Sequence, residues 1–356
     1  MQVDEAKVEQ FVGQVVGDLG ATVSSALTYL GHQLGLYRAM ADAGPLTPAE
    51  LAKRTGTHHR YVREWLDNQA AGGYITYDPA GRTYELPPEH AMVLAEEDSP
   101  VHMAPAWKQM AAIWAVEPKL EAAFQSGDGV GWHEHDPRLF GATEGFFKPA
   151  YRTNLVDEWI PALEGIQEKL TAGAQVADVG CGHGASSILL AEAFPNTTVA
   201  GFDYHDASIE AARRRAAEAG LDDDRVSFEV AAADEYPLPD RGGYDLICFF
   251  DALHDFGDPV GAAAHARRTL ADDGTVMLVE IRSEDRTEDN LGPFGRLAYG
   301  MSTFVCTPNS LAQDVGYALG GQAGPSAIRE VFERAGFTRF RKVAEAPVHQ
   351  VLEVRP

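Results

Sequence analysis

The sequence predicts an α/β protein in which a parallel sheet with crossover helices follows a mainly helical N-terminal domain. Short apolar runs alternate with helical segments from residue 174 onward, and this alternation is typical of a parallel sheet. Before that residue, most apolar positions recur at helical spacing. The apolar runs are 175–179, 198–202, 226–230, 244–250 and 275–281, and the helical segments are 185–194, 206–219 and 259–270. Two further runs, 338–343 and 348–354, predict a terminal pair of strands.

The charge of the chain argues against two classes of partner. Its 356 residues, a length that predicts two domains, include 29 Lys and Arg against 53 Asp and Glu, which gives a net charge of −24. Proteins that bind duplex nucleic acid neutralise phosphates with a basic face, and anionic membrane surfaces attract basic segments. We therefore expect neither nucleic acid nor a membrane as a partner.

The cysteine content and the N-terminus predict a cytoplasmic protein. Three cysteines, Cys181, Cys248 and Cys306, are too few for a disulfide framework and fit a reducing compartment. The acidic start Met1–Glu5 has no apolar run behind it, so we expect no signal peptide. No run of 18 consecutive apolar residues occurs, which argues against a membrane span.

The first helical region, residues 7–43, is poor in polar side chains. Its apolar positions recur at helical spacing. They are Val8, Val12, Val15, Val16, Val23, Leu27, Leu30, Leu34 and Tyr37. Because a polar-poor helix early in a chain often packs on a partner subunit, we expect a homodimer formed through residues 1–100.

The next region follows the order helix, turn, helix and hairpin, which is the order of a winged helix. The first helix begins at Thr47–Glu50, where the threonine can cap, the proline suits the first helical position and the glutamate can return a hydrogen bond. A second helix is predicted over residues 57–72, and strands over 74–77 and 82–86 form the hairpin.

The second of these helices would be the recognition helix if the winged helix bound DNA. It carries Arg60 and Arg63 against Glu64 and Asp67, so its net charge is zero with His neutral. A helix that reads a DNA groove is expected to carry positive charge toward the phosphates. We therefore predict a dimerisation domain over residues 1–100 rather than a DNA-binding domain.

Residues 101–155 are predicted to form a helical connector that contributes to a substrate pocket. Prolines and a loop at 127–131 interrupt the segment, and its aromatic side chains fit an apolar pocket. Residues 133–136, with the sequence His-Glu-His-Asp, contain potential metal ligands. Two histidines two residues apart in a loop make a poor metal site, so we predict no metal. The third predicted segment, residues 156–356, is the α/β domain.

A glycine-rich loop follows the first apolar strand of the α/β domain. Gly180, Gly182 and Gly184 permit a tight turn and allow backbone amides to approach a ligand. A dinucleotide site would prefer G-x-G-x-x-G, whereas the spacing here is G-x-G-x-G. Asp178, two residues before the loop, suits a cationic amino-acid group better than a pyrophosphate. The backbone of Cys181 is expected to matter more than its thiol.

A second acidic residue ends the next strand. Asp203 follows Gly184 by 203 − 184 = 19 residues, and an acid at this place commonly accepts hydrogen bonds from both hydroxyls of a ribose. We expect Asp206 to cap the following helix, which would leave Asp203 free for the sugar.

Together these features resemble the class I S-adenosylmethionine (SAM)-dependent methyltransferases. The segments that carry the resemblance are the glycine loop, Asp203, the strand at 244–247 and the turn at 271–275. The resemblance implies a Rossmann-like sheet of seven strands with an antiparallel final hairpin, and SAM as cofactor with S-adenosylhomocysteine as product. It implies that the three loop glycines line the methionine and ribose of SAM, and that Tyr204 lies against the adenine.

The resemblance extends the cofactor site to two further strand ends. Many members carry a Gly-Asp pair after the third strand, and this chain has Ala231–Asp234 instead. The adenine-side positions are therefore assigned to Ala233 and Asp234. Phe250, at the end of the fourth strand, is assigned to the cofactor site as well.

The segment after the fourth strand contains the catalytic candidate. A lone histidine at a strand end is by default a surface or satisfied residue, but His254 follows the strand expected to flank SAM, and an imidazole can take a proton near neutral pH. The segment is similar to the Leu-His-Asp-Trp segment of winged-helix small-molecule O-methyltransferases, with Phe256 in place of Trp. That similarity implies His254 as general base, flanked by Asp255, with Glu280 near the histidine. Glu280 could equally be a solvated acid at a strand end.

The chain also resembles a group of bacterial winged-helix methyltransferases. The matching segments are Asp203–His205, Phe250–Asp255 and Cys306–Ser310. This resemblance implies SAM-dependent methylation of a small aromatic or heterocyclic acceptor, with oxygen favoured as the methylated atom. Three alternatives stay open: N- or S-methylation by positioning alone, a transcriptional regulator that senses SAM, and SAM chemistry without methyl transfer.

Overall fold

The computed structural model describes residues 3–239 and 242–356, so residues 1 and 2 of the predicted dimerisation domain lie outside the described range. The chain divides into two compact units. They are Met1–Ala112 with Gly145–Pro149, and Ile113–Glu144 with Ala150–Pro356. The predicted connector is thus divided between the two units, and the three predicted segments stay a prediction.

The first unit is mainly helical and carries the predicted hairpin. Its elements are α1 (Glu5–Gln33), α2 (Leu36–Met40), α3 (Pro48–Thr55), α4 (His59–Ala71), β1 (Thr76–Asp78), β2 (Thr83–Glu85) and α5 (Pro88–Leu94). Strands β1 and β2 pair antiparallel. The predicted winged-helix order is confirmed, although α4 begins two residues later than expected because His58 caps it, its ring accepting from the backbone N–H of Arg60.

Local hydrogen bonds and one close contact fix this unit. The Thr47 hydroxyl accepts from the backbone N–H of Glu50 at 3.3 Å, and the Glu50 carboxylate accepts from the backbone N–H of Thr47 at 2.7 Å, as the capping pattern predicts. The indole of Trp65 donates to the Leu27 carbonyl at 2.8 Å. A Cβ atom at Gly31 would lie 2.5 Å from the Trp65 ring, so only glycine allows α1 to approach α4 this closely.

Two long helices contain residues of both units, and the remaining elements belong to the second unit. The long helices are α6 (Ala104–Ser126) and α7 (Arg138–Asn154), and α6 continues through Pro118. The other helices are α8 (Ile160–Ala162), α9 (Ile166–Ala172), α10 (Ala185–Ala193), α11 (Asp206–Glu218), α12 (Pro259–Thr269), α13 (Pro293–Met301), α14 (Thr307–Leu311) and α15 (Pro325–Arg334). Short 3-10 turns occupy Trp132–Glu134, Leu253–Asp255 and Thr287–Asn290, and π-helical turns occupy Leu155–Trp159 and Ser302–Cys306.

The second unit is built on a sheet of seven strands within the described residues. The strands are β3 (Gln175–Val179), β4 (Thr198–Asp203), β5 (Val226–Val230), β6 (Tyr244–Phe250), β7 (Leu270–Ile281), β8 (Arg339–Glu345) and β9 (His349–Arg355). Their order is β5-β4-β3-β6-β7-β9-β8. The first five run parallel and β9 runs antiparallel to both β7 and β8. The predicted α/β fold with an antiparallel terminal hairpin is confirmed.

The start of β7 corrects one prediction. The segment 271–275 was expected to be a turn before the strand, but β7 already begins at Leu270. Leu270 pairs with Tyr244, and Thr275 pairs with Leu246, so the register shifts between these two pairs. Between these two pairs β7 advances by five residues and β6 by two, so the extra residues of β7 form a register irregularity beside β6.

The central strands β3 and β6 are apolar and mostly buried, whereas the edge strand β8 is charged and mostly exposed. Strand β6 has six buried residues of seven, as expected for a parallel strand covered by helices. No helix among the described residues is both long and apolar enough to cross a membrane.

Candidate active site

The glycine loop lies between β3 and α10, at the carboxyl end of the sheet. Gly180, Gly182 and Gly184 all have positive φ angles, of 77°, 52° and 78°. Residues that carry a side chain rarely adopt such angles. A Cβ atom at Gly180 would lie 2.6 Å from the Cβ of Ala252, and one at Gly184 would lie 2.6 Å from the Phe228 ring. Side chains at these two positions would therefore collide with neighbouring residues, so the loop is a backbone cradle in which both φ and packing require glycine.

Asp203 fastens this cradle to the end of β4. The backbone N–H of Gly182 donates to Asp203 Oδ2 at 2.9 Å, and the backbone N–H of His205 donates to Oδ1 at 2.9 Å. Burial raises the pKa of Asp203, although both N–H groups act to lower it. A carboxylate offers about four acceptor sites, so Asp203 can hold the loop and still accept from a ligand hydroxyl.

The cap of α11 corrects a further prediction. Asp206 was expected to cap this helix, but the helix begins at Asp206 itself and the N-cap residue is His205. Among the described residues, the Asp206 carboxylate accepts from the adjacent backbone N–H of Ala207 alone, at 2.7 Å. His205 takes the cap position because Asp203 already binds its backbone N–H.

A cleft of about 370 Å³ opens beside the cradle. Five of the predicted cofactor residues line it, and they are Gly180, Asp203, Tyr204, Ala233 and Asp234. The other five are not among its lining residues, and they are Asp178, Cys181, Gly182, Gly184 and Phe250. The sequence reasoning missed Gly257, Asp258 and Gln313, which also line the cleft. The first two directly follow the catalytic segment, but nothing in the sequence signals the approach of Gln313.

Asp178 lies beneath the loop and is fully buried. Its Oδ2 accepts from the hydroxyls of Ser186 and Ser187, each at 2.6 Å, while Oδ1 has no hydrogen-bond partner among the described residues. Burial raises the pKa of Asp178 to about 6. A buried carboxylate oxygen without a donor costs free energy, and a ligand ammonium group would supply that donor. Cys181 is buried and its pKa is raised by burial, so its thiol stays protonated.

His254 and Glu280 form a buried pair at the carboxyl ends of β6 and β7. Each residue is 3% exposed. The His254 Nδ1 and Glu280 Oε2 atoms are 2.5 Å apart, and the backbone N–H of His254 also points at Glu280 Oε1, at 3.4 Å. Glu280 is therefore not a solvated acid at a strand end. Its contact with Nδ1 leaves Nε2 as the ring nitrogen that faces away from β7.

Neighbouring carboxylates control the charge of His254. Burial acts to lower its pKa, but Glu280 and then Asp255 outweigh this and raise the pKa well above 6.5. Burial raises the pKa of Glu280, with His254 acting in the opposite direction. The Asp255 Oδ1 atom lies 3.4 Å from His254 Nε2. The arrangement therefore stabilises an imidazolium once the ring has accepted a proton.

Cys306 completes the surroundings of His254, and its place here was not predicted. Burial, followed by Asp255, raises the pKa of its thiol to about 11. The ligand atoms of His254, Asp255 and Cys306 lie within 4.8 Å of one another. The predicted metal-ligand candidates at 133–136 do not form such a group among the described residues; Glu134 binds Lys119 and Asp136 binds Arg138 instead.

A second polar cluster, around Asp251, lies next to this pair. Asp251 has a positive φ of 49°, and its Oδ2 accepts from the Tyr151 hydroxyl at 2.6 Å and contacts His349 Nε2 at 2.9 Å. Tyr151 comes from α7 and His349 begins β9. No sequence signal joins residues that are about 100 positions apart, so this cluster was missed.

Aromatic and polar residues of 130–144 lie near the cleft residues. The rings of Phe140 and His205 are 4.8 Å apart, and those of Trp132 and Phe140 are 5.1 Å apart. Asn309 Oδ1 accepts from the backbone N–H of Trp132 at 2.9 Å and from the Tyr204 hydroxyl at 3.2 Å. Tyr204, predicted to lie against the adenine, is thus held at the cleft by a residue of α14.

The sheet order and the site together define a class of protein. A seven-stranded sheet with a glycine cradle after β3, an acidic residue at the end of β4 and an antiparallel last strand is the fold of class I methyltransferases. The cradle and the unpartnered oxygen of Asp178 fit a cofactor that carries both a ribose and an amino-acid group, as SAM does.

Comparison with known proteins agrees with this class. Residues 170–335 match the family described as a methyltransferase domain, and residues 22–96 match the Rv2258c-like winged HTH domain. Residues 170–335 therefore form a methyltransferase domain, and residues 22–96 form a winged helix-turn-helix domain that precedes it. The methyltransferase domain implies SAM as the cofactor.

Similar proteins include methyltransferases of natural products. The chain is 36% identical over 109 residues to 27-O-demethylrifamycin SV methyltransferase of Amycolatopsis mediterranei, covering 31% of this chain and 39% of that one. It is 29% identical over 190 residues to nocamycin O-methyltransferase of Saccharothrix syringae, covering 51% and 64%. The match thus spans less than two thirds of these relatives. Mitomycin 7-O-methyltransferase MmcR shares the fold with a TM-score of 0.72 at 19% identity, covering 99% of this chain and 100% of that one.

Proposed function

We propose that this protein transfers the methyl group of SAM to a hydroxyl of a small aromatic or heterocyclic molecule, with His254 as general base. The observation that carries the proposal is the buried pair in which His254 Nδ1 lies 2.5 Å from Glu280 Oε2. The residues that follow this histidine, Phe256 and Gly257, line the cleft. The base would therefore stand beside the cofactor.

The pair suits proton removal from an acceptor hydroxyl. Glu280 accepts a hydrogen bond from the Nδ1–H group and so leaves Nε2 as the atom of the neutral ring that can take a proton. This tautomer is assigned from the hydrogen-bond partner. When Nε2 takes the hydroxyl proton, Glu280 and Asp255 stabilise the imidazolium, as the raised pKa of His254 implies. A positioned base of this kind contributes roughly 10²–10⁴-fold to the rate.

The cradle residues would hold the cofactor. Asp203 would accept from the ribose hydroxyls, Tyr204 would lie against the adenine, and Asp178 would accept from the ammonium of the methionine portion. The backbone of the glycine loop would line the same molecule, with Ala233 and Asp234 on the adenine side. Bound SAM supplies an electrophilic methyl group, and the protein aligns the acceptor oxygen with it.

The acceptor class rests on the relatives and on the aromatic residues near the cleft. The similar proteins named above are, by their names, methyltransferases of rifamycin, nocamycin and mitomycin compounds. Trp132 and Phe140 offer ring faces of the kind that hold aromatic ligands. Small aromatic natural products are therefore the acceptors we propose.

Helix α1 supports the homodimer that forms part of this proposal. Large apolar side chains stay exposed along it. They are Val8, Phe11, Val12, Val15, Val16, Leu19 and Val23. An exposed apolar face of this length is typical of a protein interface, and we propose a second copy of this chain as its cover. Light scattering should give about twice the chain mass; a monomer would contradict the dimer.

Two further elements of the proposal concern location and nucleic acid. Cys181, Cys248 and Cys306 are free and buried, which favours the reducing cytoplasm.

In α4, Arg60 pairs with Glu64 at 2.5 Å and Arg63 with Asp67 at 3.9 Å. These arginines are neutralised within their own helix, which argues against DNA as a partner.

A screen with labelled SAM tests the activity. Phenols, heteroaromatic amines and thiols are incubated with the purified full chain, and label in the acceptor is counted. We expect transfer to hydroxyl acceptors above a control in which the protein is heat-inactivated. Transfer confined to amines or thiols would contradict O-methylation, and SAM that fails to bind the folded chain in a calorimetric titration would contradict the activity as a whole.

A further inference from the structure

Three ligand groups of different chemistry lie close together: the imidazole of His254, the carboxylate of Asp255 and the thiol of Cys306. Asp255 follows His254 in the 3-10 turn Leu253–Asp255, and Cys306 ends the π-helical turn Ser302–Cys306. His254 Nε2 and Asp255 Oδ1 are 3.4 Å apart, and one ligand atom each of His254, Asp255 and Cys306 lies within 4.8 Å of the other two.

The position of Cys306 is fixed by its neighbours. The Ser302 hydroxyl, in the same turn, accepts from the backbone N–H of Gly321 at 3.0 Å. A Cβ atom at Gly321 would lie 3.3 Å from the Cys306 sulfur and 3.7 Å from His254 Cδ2. The backbone at Gly321 therefore lies near both ligand groups, and a larger residue there would crowd Cys306.

The geometry and chemistry of the cluster match a zinc site. Zn²⁺ binds Cys sulfur, His nitrogen and Asp oxygen at about 2.0–2.3 Å in a tetrahedron, which places ligand atoms roughly 3.3–3.8 Å apart. The Nε2–Oδ1 distance of 3.4 Å already has this value. Asp255 Oδ1 is buried and has no hydrogen-bond partner in the part of the chain that the structure describes.

Glu280 supplies what a zinc-bound histidine usually has behind it. Histidines that bind zinc donate their other ring N–H to a carboxylate or carbonyl, which fixes the ring and raises its basicity. His254 Nδ1 lies 2.5 Å from Glu280 Oε2, so Nε2 is directed at Asp255 and Cys306. Three protein ligands leave the fourth position of a tetrahedron open.

We propose that His254, Asp255 and Cys306 bind a thiophilic divalent cation of the zinc type, and that the occupied site blocks the general base. Binding forms one bond each to Nε2, Sγ and a carboxylate oxygen, and the thiol proton of Cys306 passes to solvent. A protonated His254 would release its Nε2 proton as well. With its lone pair bound to the metal, Nε2 cannot accept the acceptor's proton, so Zn²⁺ inhibits methyl transfer and a chelator restores it.

Metal titration of the full chain tests the site without reference to activity. Zn²⁺ titrated calorimetrically into chelator-treated protein should bind at one equivalent, and Co²⁺ should give a thiolate-to-cobalt absorption band. We expect Cys306→Ser to lose this band and to weaken Zn²⁺ binding by at least about 100-fold, and Glu280→Gln to weaken it about 10–100-fold. His133→Ala, which removes an exposed histidine that is not part of the cluster, should bind Zn²⁺ as the wild type does.

SAM titration of each variant checks that it is folded. If Cys306→Ser no longer binds SAM, Asp255→Asn is used instead, and the expected result is weaker Zn²⁺ binding in the calorimetric titration. Equal Zn²⁺ affinity of the wild type and the cluster variants, or a cobalt spectrum without a thiolate band, would overturn the proposal. Only the inhibitory consequence rests on the proposed function, because the calorimetric and cobalt readouts do not require methyl transfer. Zn²⁺ that binds the cluster while turnover is unchanged would overturn that consequence alone.

Discussion

The cofactor cleft and the His254 cluster lie at the same edge of the sheet but are built from different materials. The cleft is made largely of backbone: three glycines with positive φ and two N–H groups held by Asp203. The cluster is made of buried side chains, in which His254 meets Glu280 and Asp255. Backbone groups can bind any ligand of the right shape, whereas burial of charged side chains costs free energy unless they are paired and hydrogen-bonded.

This difference separates binding from chemistry. Changes in the cradle should act on cofactor affinity and on stability, because they disturb a packed turn. Changes in the cluster should act on turnover, because they disturb a proton acceptor that the cofactor does not need. Variants that keep this separation support the account, and variants that mix the two effects would weaken it.

The largest expected effect belongs to His254→Ala. Removal of the base should lower turnover by about 10²–10⁴-fold, while SAM affinity stays near the wild-type value because the lost contact belongs to the acceptor. Turnover with labelled SAM and a calorimetric SAM titration measure the two quantities. His133→Ala is the matched control and should change neither. Near-wild-type turnover of His254→Ala on the best acceptor would remove the base from the mechanism.

Gly180→Ala tests the packed turn of the cradle. The new Cβ would lie 2.6 Å from that of Ala252, in a backbone with φ of 77°. Strain and overpacking together should lower the free energy of unfolding by about 2–5 kcal/mol. Gly220→Ala is the control, because its φ is 74° with nothing within 4 Å of the new Cβ, and only about 1–2 kcal/mol is expected. Urea unfolding compares them; equal losses would contradict the packing argument.

Asp203→Ala should lower the affinity for the cofactor. Hydrogen bonds to a charged group contribute about 1.5–3 kcal/mol, so we expect SAM affinity to fall about tenfold to a hundredfold. Asp206→Ala is the neighbouring control, because its carboxylate accepts from the backbone N–H of Ala207, and SAM affinity should stay near that of the wild type. A calorimetric titration in which both variants lose the same affinity would contradict the role given to Asp203.

The sequence predicted half of the assigned cofactor residues at the cleft, and it could do so because the information is local. A strand, three closely spaced glycines and an acid 19 residues later lie within one stretch of chain, and the hydrophobic pattern gave β5 and β6 with their observed bounds. The cap at Asp206 was wrong because capping depends on which backbone N–H is already bound. The predicted start of β7 was wrong because the register shift there depends on how β7 pairs with β6.

The sequence predicted only part of the cluster because its members are far apart in the chain. His254 was predicted from the similarity of its segment to that of known O-methyltransferases. For Glu280 the sequence left two possibilities, an acid near the histidine or a solvated acid at a strand end. Cys306 and the contacts of Asp251 with Tyr151 and His349 depend on how distant segments pack. No periodicity or spacing reports such contacts.

The central claim is that Glu280 holds His254 so that its ring takes the acceptor's proton. The free enzyme must then carry a neutral His254, while Glu280 and Asp255 favour its charged form and raise its pKa well above 6.5. Because activity requires loss of that proton, kcat/KM should rise with pH through the raised pKa. Removal of the Glu280 charge should move this limb to lower pH, since burial alone lowers the pKa of a histidine.

The measurement that tests this most directly is the pH profile of kcat/KM for the wild type and Glu280→Gln, with an acceptor whose hydroxyl titrates well above the range studied. The account predicts a wild-type limb centred above pH 6.5 that shifts downward in Glu280→Gln and is absent in the residual activity of His254→Ala. A wild-type limb at or below the ordinary histidine value, or the same limb in the wild type and Glu280→Gln, would contradict it.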